Sequence, residues 1–504
     1  MKIDRQIGAL GEWQADALIF FTVENSPEPL PGFRRWMQTE APWLTESPGL
    51  GDFQGKPQQA TVLYAPQDQR IPRVVCVGLG ALEKLDLEKV RTATATALRK
   101  CRDLRLSRPA LPLLAFEGLP FEWPRALEEA LIGGILGLYR FSALKTKDVD
   151  GDTQLQSLVI FSETDPGEEL PTAVRSAEAM ASGVSLARDL VVAPGNRVTP
   201  TFIAEIAQGL SESYGCRMQL FNLNDALNMG MRAFAAVAQG SREPACIVVL
   251  EYCPPGMEDT QPIVFIGKGI TFDTGGISIK PSNKLEAMKQ DMAGAAAVLG
   301  AFEVVGKLGI KRRLIGVLPC TENMPDGKAY KPGDVIQSMS GLMVEVISTD
   351  AEGRMILCDA ITYALQYKPA VIVDLATLTG ACIVALGNEV AAVMGNREAL
   401  VERLRSIGME VGERLWPLPL WDFYFEYIKS DIADFKNVGD RSAGTIVGGI
   451  FLKQFVPDDV PWAHVDIAGT AWTEKDTGMA PKGATGFGVR LLVEIARRWD
   501  ELNI

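Results

Sequence analysis

The sequence predicts an α/β fold in two unlike parts: a smaller N-terminal α/β domain and a larger C-terminal α/β domain with a mixed, largely parallel central sheet. Short apolar runs alternate with helical patterns through both parts. A turn-rich segment, Asp165-Pro-Gly-Glu-Glu-Leu-Pro, interrupts that alternation. The length of 504 residues exceeds what one ordinary core accommodates. These observations favour a boundary near residue 165, with domains at 1–165 and 166–504.

The N-terminal domain is predicted from five apolar runs and two helical patterns. The helical patterns lie at 86–101 and 124–140, and strands are expected in ALIFFTV, ATVLYA, RVVCVGLG, ALPLLAF and LQSLVIF. Gly78-Leu79-Gly80 follows one of these strands, as in a dinucleotide-binding turn. The third glycine and the later acidic residue of that fingerprint are not at the expected positions, so we predict a plain strand-to-helix turn.

The C-terminal domain begins with a long linker helix, predicted at 166–192. From residue 244 the order is strand, loop, helix, with helices at 292–307 and 353–367. The strands are expected in CIVVLEY, PIVFIGKGI, RRLIGVLPC, AVIVDLATL, EVAAVMG and AHVDIAG. Because these runs are almost continuously apolar, they predict a largely parallel sheet that is covered on both faces.

Composition excludes several classes of protein. The first residues lack a basic segment followed by a sustained apolar run, and no stretch reaches the roughly 18 apolar residues of a membrane span. The eight cysteines are scattered without a CxxC pair, which is typical of reduced core residues and indicates a cytoplasmic protein. The net charge of −13 opposes binding to nucleic acid or to an anionic membrane.

The single histidine, His464, limits the possible catalytic chemistry. A zinc site built on several imidazoles, such as HExxH, is excluded, and no GxSxG elbow is present to pair His464 with a nucleophilic serine. We expect His464, in the strand WAHVDIAG, to be a hydrogen-bonded structural residue. Hydrolytic chemistry would therefore depend on carboxylates, lysines or arginines.

Charged residues concentrate in the loops that adjoin two predicted strands and in a short segment between them. Ligands of open α/β sheets gather where loops leave the carboxyl ends of strands. The charged residues of GKGITFDTGGISIK, MKQD and STDAEGR are Lys268, Asp273, Lys280, Asp291, Asp350, Glu352 and Arg354. Four carboxylates and three cations thus fall beside consecutive strands.

Taken singly, these residues have ordinary structural explanations. Lys268 could be a solvated lysine, Asp273 a turn former and Asp291 a helix cap. Thr349 and Glu352 fit a capping box.

Together, the same residues indicate a metal site. If residues 350–354 are extended, then Asp350, Glu352 and Arg354 point the same way, since side chains repeat every second residue. Oxygen ligands without histidine or thiolate suit Mn²⁺ or Mg²⁺, and zinc is tolerated where carboxylates dominate.

Successive motifs of the chain resemble those of the leucyl aminopeptidase family of cytosolic two-metal peptidases. The motifs are GKGITFDTGGISIKPS, MKQDMAG, ENMPDGKAYKPGDV, STDAEGRMILCDA, DLATLTGA and WAHVDIAGTAW…PKGATGFGVR. The match is dense over about 180–495 and looser before 165. Ser348 and Val192 replace asparagines that are common in the family. The change at Ser348 concerns how the second residue of the substrate is held. We expect the change at Val192 to be structural.

The resemblance implies a metal-dependent aminopeptidase that removes the N-terminal residue of peptides with water activated by two metal ions. Its cofactors would be two divalent ions per subunit, Mn²⁺ or Zn²⁺, with Mg²⁺ as a third candidate. The implied ligands, of which Asp273 and Glu352 bridge the ions, are Lys268, Asp273, Asp291, Asp350 and Glu352. Lys268 would have to be neutral to bind metal, which neighbouring cations and desolvation would favour.

The resemblance also assigns the residues that act on the substrate. It implies catalytic roles for Lys280, which would stabilise the oxyanion, and for Arg354, which would bind bicarbonate as the proton shuttle. The implied pocket for the first substrate residue, with a preference for Leu, Met or another apolar side chain, consists of Met288, Thr377, Leu378, Gly380 and Ala468. Family members form homohexamers, which implies a role in assembly or regulation for the N-terminal domain.

Two alternatives stay open. Some relatives have a second role in DNA binding, which at a net charge of −13 would require a confined basic surface. A serine hydrolase could instead use Ser278 with Lys280, two residues apart on one face of an extended segment.

Overall fold

The structure is a computed structural model that describes residues 1–24, 26, 29–67, 69–147 and 155–502. The chain divides into two compact units. The first is Met1–Ala181 with Lys475–Pro481, and the second is Ser182–Glu474 with Lys482–Ile504. The domain boundary that the sequence places at 165/166 stays a prediction.

The first unit contains a six-stranded sheet in the order β1-β6-β5-β2-β4-β3. Its strands are β1 (Lys2–Ile7), β2 (Ala17–Thr22), β3 (Ala60–Tyr64), β4 (Arg73–Gly78), β5 (Pro109–Pro112) and β6 (Ser157–Ser162). All neighbouring strands pair in parallel except β3 and β4. Strand β1 was not predicted because its side chains are exposed or half-buried and do not form an apolar run.

Three helices of this unit match the predicted patterns to within a few residues, and the first two were not predicted. The α-helices are α1 (Pro31–Glu40), α2 (Pro48–Gly51), α3 (Leu87–Asp103), α4 (Trp123–Gly137) and α5 (Glu169–Val192), of which α5 continues past Ala181. The 3₁₀ segments are Leu10–Glu12, Pro42–Glu46, Leu82–Lys84 and Leu113–Phe116. The run ALPLLAF is therefore strand only as far as Pro112 and becomes a 3₁₀ turn after it.

The second unit is built on a nine-stranded mixed sheet. The strands of this unit are β7 (Arg217–Asn222), β8 (Cys246–Tyr252), β9 (Ile263–Gly267), β10 (Gly269–Asp273), β11 (Leu314–Asn323), β12 (Val335–Gln337), β13 (Met343–Glu345), β14 (Val371–Ala376), β15 (Ala391–Gly395), β16 (Leu415–Pro417), β17 (Phe435–Lys436), β18 (Trp462–Asp466), β19 (Trp472–Thr473) and β20 (Gly483–Ala484). The order of the main sheet is β16-β15-β18-β14-β9-β11-β8-β7, and β10 pairs with β11.

The centre of this sheet is parallel, antiparallel pairs lie on either side of it, and the edge strand β16 pairs with β15 in parallel. Strands β18, β14, β9, β11 and β10 pair in parallel, whereas β15 with β18, β11 with β8 and β8 with β7 pair antiparallel. Every residue of β8, β9 and β14 is buried, as expected for strands covered on both faces. The predicted fold class, two unlike α/β units with a mixed, largely parallel sheet in the larger one, is confirmed.

Helices flank the sheet of the second unit. They are α6 (Pro200–Tyr214), α7 (Leu223–Asn228), α8 (Arg232–Ala238), α9 (Ala293–Leu308), α10 (Glu352–Ala364), α11 (Gly380–Leu386), α12 (Glu398–Val411), α13 (Gly444–Lys453), α14 (Val489–Arg497) and α15 (Trp499–Leu502), with 3₁₀ segments at Leu285–Met292, Leu365–Tyr367 and Asp422–Ile428. In the described part of the chain, none of the helices has the length and apolar character needed to span a bilayer.

Candidate metal centre

The charged cluster lies where three neighbouring parallel strands end. Lys268 directly follows β9, Thr377 directly follows β14, and Asp466 is the last residue of β18. These strands lie side by side in the order β18-β14-β9, so their carboxyl ends meet at one edge of the sheet. This is the edge at which ligands of α/β proteins are expected.

Lys268 interrupts what the sequence predicted as one continuous strand. Strand β9 ends at Gly267 and β10 begins at Gly269, so the lysine lies at a break between two parallel strands. Its side chain is buried, with Nζ 2.8 Å from Asp291 Oδ2 and 2.7 Å from Glu352 Oε1. Nζ also donates to the main-chain oxygen of Thr377 at 3.0 Å. Lys268 is therefore not a solvated surface lysine.

The carboxylates that surround Lys268 affect its pKa. Burial alone would lower the pKa of Lys268, but the adjacent carboxylates of Asp291 and Glu352 outweigh it and raise that pKa above its ordinary value. As an ammonium, Lys268 pairs with two of the predicted ligands. To bind metal it would have to lose that proton, which a cation bound beside it would favour.

Asp273 ends β10 and is fixed by two donors. Its Oδ1 accepts from the main-chain nitrogen of Gly275 at 2.9 Å and from Asn323 Nδ2 at 2.8 Å. Gly275 and Gly276 have φ angles of 85° and 65°, which favour glycine, and they turn the chain sharply after the strand. The turn places Lys280 Nζ 2.9 Å from Asp273 Oδ2.

The STDAEGR motif is a turn followed by a helix rather than an extended segment. Helix α10 begins at Glu352 with Ala351 as its N-cap, so the prediction of an extended 350–354 is wrong. The predicted capping box is wrong as well, because Thr349 Oγ1 donates to Gly275 O at 2.6 Å and accepts from Ser278 N at 2.7 Å. Thr349 thus joins this motif to the turn after β10.

Asp291 does not cap helix α9. The N-cap of α9 is Met292, and Asp291 closes the preceding 3₁₀ segment. Its Oδ1 accepts from Lys268 Nζ at 2.9 Å and from Thr377 Oγ1 at 2.7 Å. The carboxylate is therefore directed at the end of strand β14.

Three of the predicted ligands form a compact oxygen cluster. One carboxylate oxygen from each of Asp273, Asp350 and Glu352 lies within 4.8 Å of the others. Lys280 Nζ is ion-paired with both Asp273 and Asp350. Glu352 Oε2 is buried and has no hydrogen-bond partner among the described residues. A buried, unpartnered carboxylate oxygen in an all-oxygen donor set fits a divalent cation.

The pKa values of the cluster reflect crowding of buried carboxylates. Burial raises the pKa of Asp273 to about 6, and the Glu352 carboxylate adds to this effect. Burial also raises the pKa of Asp291 and of Asp350 above the ordinary value. Only the pKa of Glu352 is lowered, because the charges of Lys268 and Lys280 overcome its burial. Such crowding is relieved when a cation binds.

Arg354 lies in the first turn of α10, behind the carboxylates. Its Nη1 donates to the main-chain oxygen of Asn437 at 2.7 Å, and its guanidinium lies 6.0 Å from the centre of the Phe451 ring. Burial lowers the pKa of Arg354 to about 10. Within the described residues, its buried Nε has no hydrogen-bond partner.

The predicted pocket residues occupy three segments around the same strand ends. Thr377 contacts Lys268 and Asp291 directly. The main-chain nitrogens of Leu378 and Ala468 both donate to Asp466 Oδ1 at 3.1 Å, which joins their two loops. Gly380 opens α11, and Met288 lies in the 3₁₀ segment that carries Asp291.

His464 is buried in β18, away from solvent. Its Nδ1 lies 2.5 Å from Asp374 Oδ1, and Trp462 Nε1 donates to Asp374 Oδ2 at 2.7 Å. Burial alone would lower the pKa of His464, but the Asp374 carboxylate raises it. These contacts fit the expected hydrogen-bonded structural residue.

Four supporting residues were missed by the sequence analysis. Asn323 donates to Asp273, Tyr330 Oη donates to Thr349 O at 2.8 Å, and Asp466 organises the pocket loops. Asn437 contacts both the STDAEGR motif and Arg354. Asn323 and Asp466 end strands β11 and β18, so the strand-end rule could have found them. Tyr330 lies in the motif ENMPDGKAYKPGDV but carries no charge that would single it out, and nothing in the sequence marks Asn437.

The contacts of Ser278 are those of a structural hydroxyl. Its Oγ accepts from the main-chain nitrogen of Thr349 at 3.1 Å. Lys280 is paired with Asp273 and Asp350. The Ser278–Lys280 hydrolase is not supported, and neither is the DNA-binding role.

Two family models match the chain. Residues 185–493 match the catalytic domain of the cytosol aminopeptidase family, and residues 38–148 match the N-terminal domain of the same family.

Several curated proteins are similar over almost the whole length. A probable cytosol aminopeptidase of Syntrophobacter fumaroxidans is 60% identical over 504 residues, covering 100% of both chains. One of Nitratidesulfovibrio vulgaris is 46% identical over 501 residues, covering 98% of each.

Solved structures also match. A tomato leucine aminopeptidase variant superposes with a TM-score of 0.87 at 31% identity, covering 99% of this chain and 96% of its own. The bottromycin maturation enzyme BotP in complex with Mn superposes with a TM-score of 0.84 at 32% identity, covering 96% of this chain and 99% of its own.

Proposed function

Since the chain belongs to the cytosol aminopeptidase family, it is a metal-dependent aminopeptidase of the leucyl aminopeptidase type, and we propose roles in that reaction for its site residues. The resemblance drawn from the motifs is confirmed. Its substrates are peptides, from which it releases the N-terminal residue. The proposal below concerns the metal ligands, the catalytic pair and the pocket.

Two divalent ions are proposed to bind in the carboxylate cluster. The residues that would hold them are Lys268, Asp273, Asp291, Asp350 and Glu352. Support comes from the 4.8 Å oxygen cluster and from the buried, unpartnered Glu352 Oε2. Bound there, Mn²⁺ or Zn²⁺, or else Mg²⁺, would supply the Lewis acidity that makes water nucleophilic at neutral pH and polarises the scissile carbonyl.

Lys280 is proposed to stabilise the oxyanion. It follows the glycine turn after β10, and its ammonium is directed at the carboxylates of Asp273 and Asp350. Those pairs raise the pKa of Lys280, although burial alone would lower it. A fixed cation at this position can donate to the oxygen on which charge develops.

Arg354 is proposed to hold bicarbonate, which when bound would supply the acid–base function of a proton shuttle. The guanidinium is buried, its Nη1 is bound to Asn437, and its Nε is unpartnered among the described residues. A planar guanidinium with donors to spare suits a planar anion. This assignment needs no histidine, and the only histidine, His464, is buried and paired with Asp374.

The first substrate residue is proposed to occupy a pocket formed by Met288, Thr377, Leu378, Gly380 and Ala468. Asp466 supports it by fixing the loops of Leu378 and Ala468. A Cβ atom added at Gly380 would meet nothing within 4 Å, so there is open space beside the start of α11. The apolar members favour Leu or Met as the released residue.

The family also supports proposals on assembly and location. We propose a homohexamer, with the N-terminal domain serving assembly or regulation, and a cytoplasmic enzyme, as the family description "cytosol aminopeptidase" indicates. Light scattering on the purified chain would test the hexamer, and a mass other than that of six chains would contradict it.

Metal dependence can be tested with a panel of aminoacyl amides. Turnover of leucine amide should disappear with EDTA and return with Mn²⁺ or Zn²⁺, and added bicarbonate should raise it. N-acetyl-leucine amide is the matched control and should not be cleaved, because its α-amine is blocked. Turnover that survives complete removal of metal would refute the proposal.

A further inference from the structure

Asn437 is fully buried directly after the two-residue strand β17. Its main-chain nitrogen donates to Glu345 O at 2.9 Å, which continues the pairing of β17 with β13. This register places Asn437 beside Val346, from where its side chain reaches residues 347 and 348 at the start of the STDAEGR turn.

The side chain of Asn437 replaces a neighbouring strand for that segment. Its Oδ1 accepts from the main-chain nitrogens of Ile347 at 2.8 Å and Ser348 at 3.3 Å. Its Nδ2 donates to the main-chain oxygen of Ser348 at 2.7 Å. One buried amide thus fixes both sides of the peptide that precedes Thr349 and Asp350.

The main chain of the same residue holds Arg354. Nη1 of Arg354 donates to the Asn437 oxygen at 2.7 Å. The position of this oxygen depends on how Asn437 is anchored, and the anchors are the side-chain bonds to Ile347 and Ser348. Displacing the Asn437 peptide would therefore move Asp350 and Arg354 in a correlated way.

We propose that Asn437 is a positioning residue that couples the segment carrying Asp350 to Arg354. The proposal rests on the function proposed above for those two residues. Asn437 would act through them, by keeping the guanidinium at a fixed distance from the carboxylates. Partners that orient metal ligands in this way commonly change metal affinity or activity about 10- to 100-fold when they are removed.

Asn396 offers a matched control. Its Nδ2 donates to Val460 O at 2.7 Å, and its Oδ1 accepts from Trp462 N at 2.8 Å. It therefore makes the same kind of side-chain bonds to main chain as Asn437. It contacts the opening residue of β18, at the opposite end of that strand from Asp466. Asn396→Ala removes similar bonds without touching the carboxylates or Arg354.

The experiment compares Asn437→Ala, Asn437→Asp and Asn396→Ala as metal-loaded full-length proteins. Thermal midpoint, bound Mn²⁺, kcat and KM for leucine amide, and the bicarbonate concentration for half-maximal rate are measured for each. Asn437→Ala should lower kcat about 10- to 100-fold and raise the bicarbonate requirement. Asn396→Ala should lower the thermal midpoint while leaving both kinetic quantities unchanged. Asn437→Asp keeps the acceptor and loses the donor to Ser348 O, so its kcat should be intermediate.

Equal kcat values and equal bicarbonate requirements in Asn437→Ala and Asn396→Ala would overturn the coupling role. If Asn437→Ala does not fold, the same comparison is made with Asn437→Asp, and an unchanged bicarbonate requirement there overturns it. Failure of the proposed function would look different, because the parent enzyme itself would then lack metal-dependent turnover.

Discussion

Lys280 and Asp350 are ion-paired neighbours, yet we expect their removal to have different consequences. Asp350→Ala removes a proposed ligand atom, so bound metal and turnover should fall together. Lys280→Ala leaves all carboxylates in place, so metal content should be kept while kcat falls about 100- to 1,000-fold, as for other oxyanion donors. Elemental analysis and steady-state kinetics on the same samples would separate the two effects.

The control for this pair is Lys482→Ala. Lys482 is an exposed lysine that pairs with Glu474 at 3.0 Å, and its loss should leave both metal content and kcat unchanged. A parental kcat in Lys280→Ala would refute its catalytic role.

Asp359 in α10 should give the stability of the protein a pH dependence of its own. It is fully buried and accepts from Phe234 N at 2.9 Å and Met339 N at 2.8 Å, and burial raises its pKa to about 7. Its pKa is higher in the folded state than in the unfolded state. The contribution of Asp359 to the free energy of unfolding is therefore complete below about pH 4 and is lost as the pH rises through about 7. The free energy of unfolding should therefore decrease over that interval.

The contribution of Asp359 can be isolated by comparison with Asp359→Asn. Urea unfolding of both proteins at several pH values gives the free energy of unfolding of the parent minus that of Asp359→Asn. This difference should decrease as the pH rises from 4 to 7. A difference that is constant between pH 4 and 8 would contradict the assignment to Asp359.

At the scale of residues, the sequence identified side chains that carry charge but not those that orient them. Lys268, Asp273 and Glu352 stood out only as members of a group, because four carboxylates and three cations fall beside consecutive strands. Asn437 did not stand out, because it lies 83 positions from Arg354 and a lone asparagine in a loop has many ordinary uses. Its importance follows only from which main-chain atoms it meets.

Helix α10 approaches the end of β9 so closely that its second residue has to be small. A Cβ atom added at Gly353 would lie 2.7 Å from both Cε and Nζ of Lys268. Gly353→Ala should therefore push Lys268 away from Asp291 and Glu352. We expect weaker metal binding and a loss of about 1–3 kcal/mol in stability, typical of overpacking.

Gly209→Ala is the matched control for this helix. Gly209 lies inside α6 and an added Cβ would meet nothing within 4 Å, so the exchange should stabilise the protein by about 0.5–1 kcal/mol. Denaturant unfolding and Mn²⁺ titration of both variants provide the test. Unchanged metal affinity in Gly353→Ala would show that Lys268 tolerates the displacement.

Helices and strands could be predicted where their apolar pattern is long. They were misjudged where residues of the candidate metal site interrupt that pattern. Helix α9 starts one residue after its predicted start, because its sixteen residues are small or apolar except for Glu303 and Lys307 and leave little choice. The strand through Lys268 breaks, and residues 352–354 are helical rather than extended, because contacts with distant carboxylates decide their geometry. Local periodicity contains no information about such contacts.

For the whole molecule, we expect metal binding to stabilise the fold. Four carboxylates, three of them buried, lie close together, and a bound cation would relieve their repulsion. Mn²⁺ at one hundred times its Kd should add about 2.7 kcal/mol. Calorimetry with EDTA and with Mn²⁺ would measure the shift, which should be smaller in Asp350→Ala. Equal shifts in parent and variant would contradict binding at this cluster.

The class of fold was predictable at this scale, whereas the order of strands was not. Alternating apolar runs and helices indicate a parallel sheet in any order. Strands β9, β14 and β18 are neighbours in the sheet although about a hundred residues separate each from the next along the chain. Only this arrangement brings Lys268, Thr377 and Asp466 together. Motif resemblance grouped Lys268 with Thr377 without revealing the physical cause, and it did not include Asp466 among the site residues.

The composition of the first unit has a consequence for synthesis on the ribosome. Lys475–Pro481 belong to this unit, and Asp476 pairs there with Arg99 of α3 at 2.7 Å. A nascent chain that has emerged only as far as α5 contains every strand of the six-stranded sheet but not this segment. The first unit thus contains the earliest residues of the chain and some of the last. Translation must pass residue 481 before this unit is complete and Arg99 can pair with Asp476.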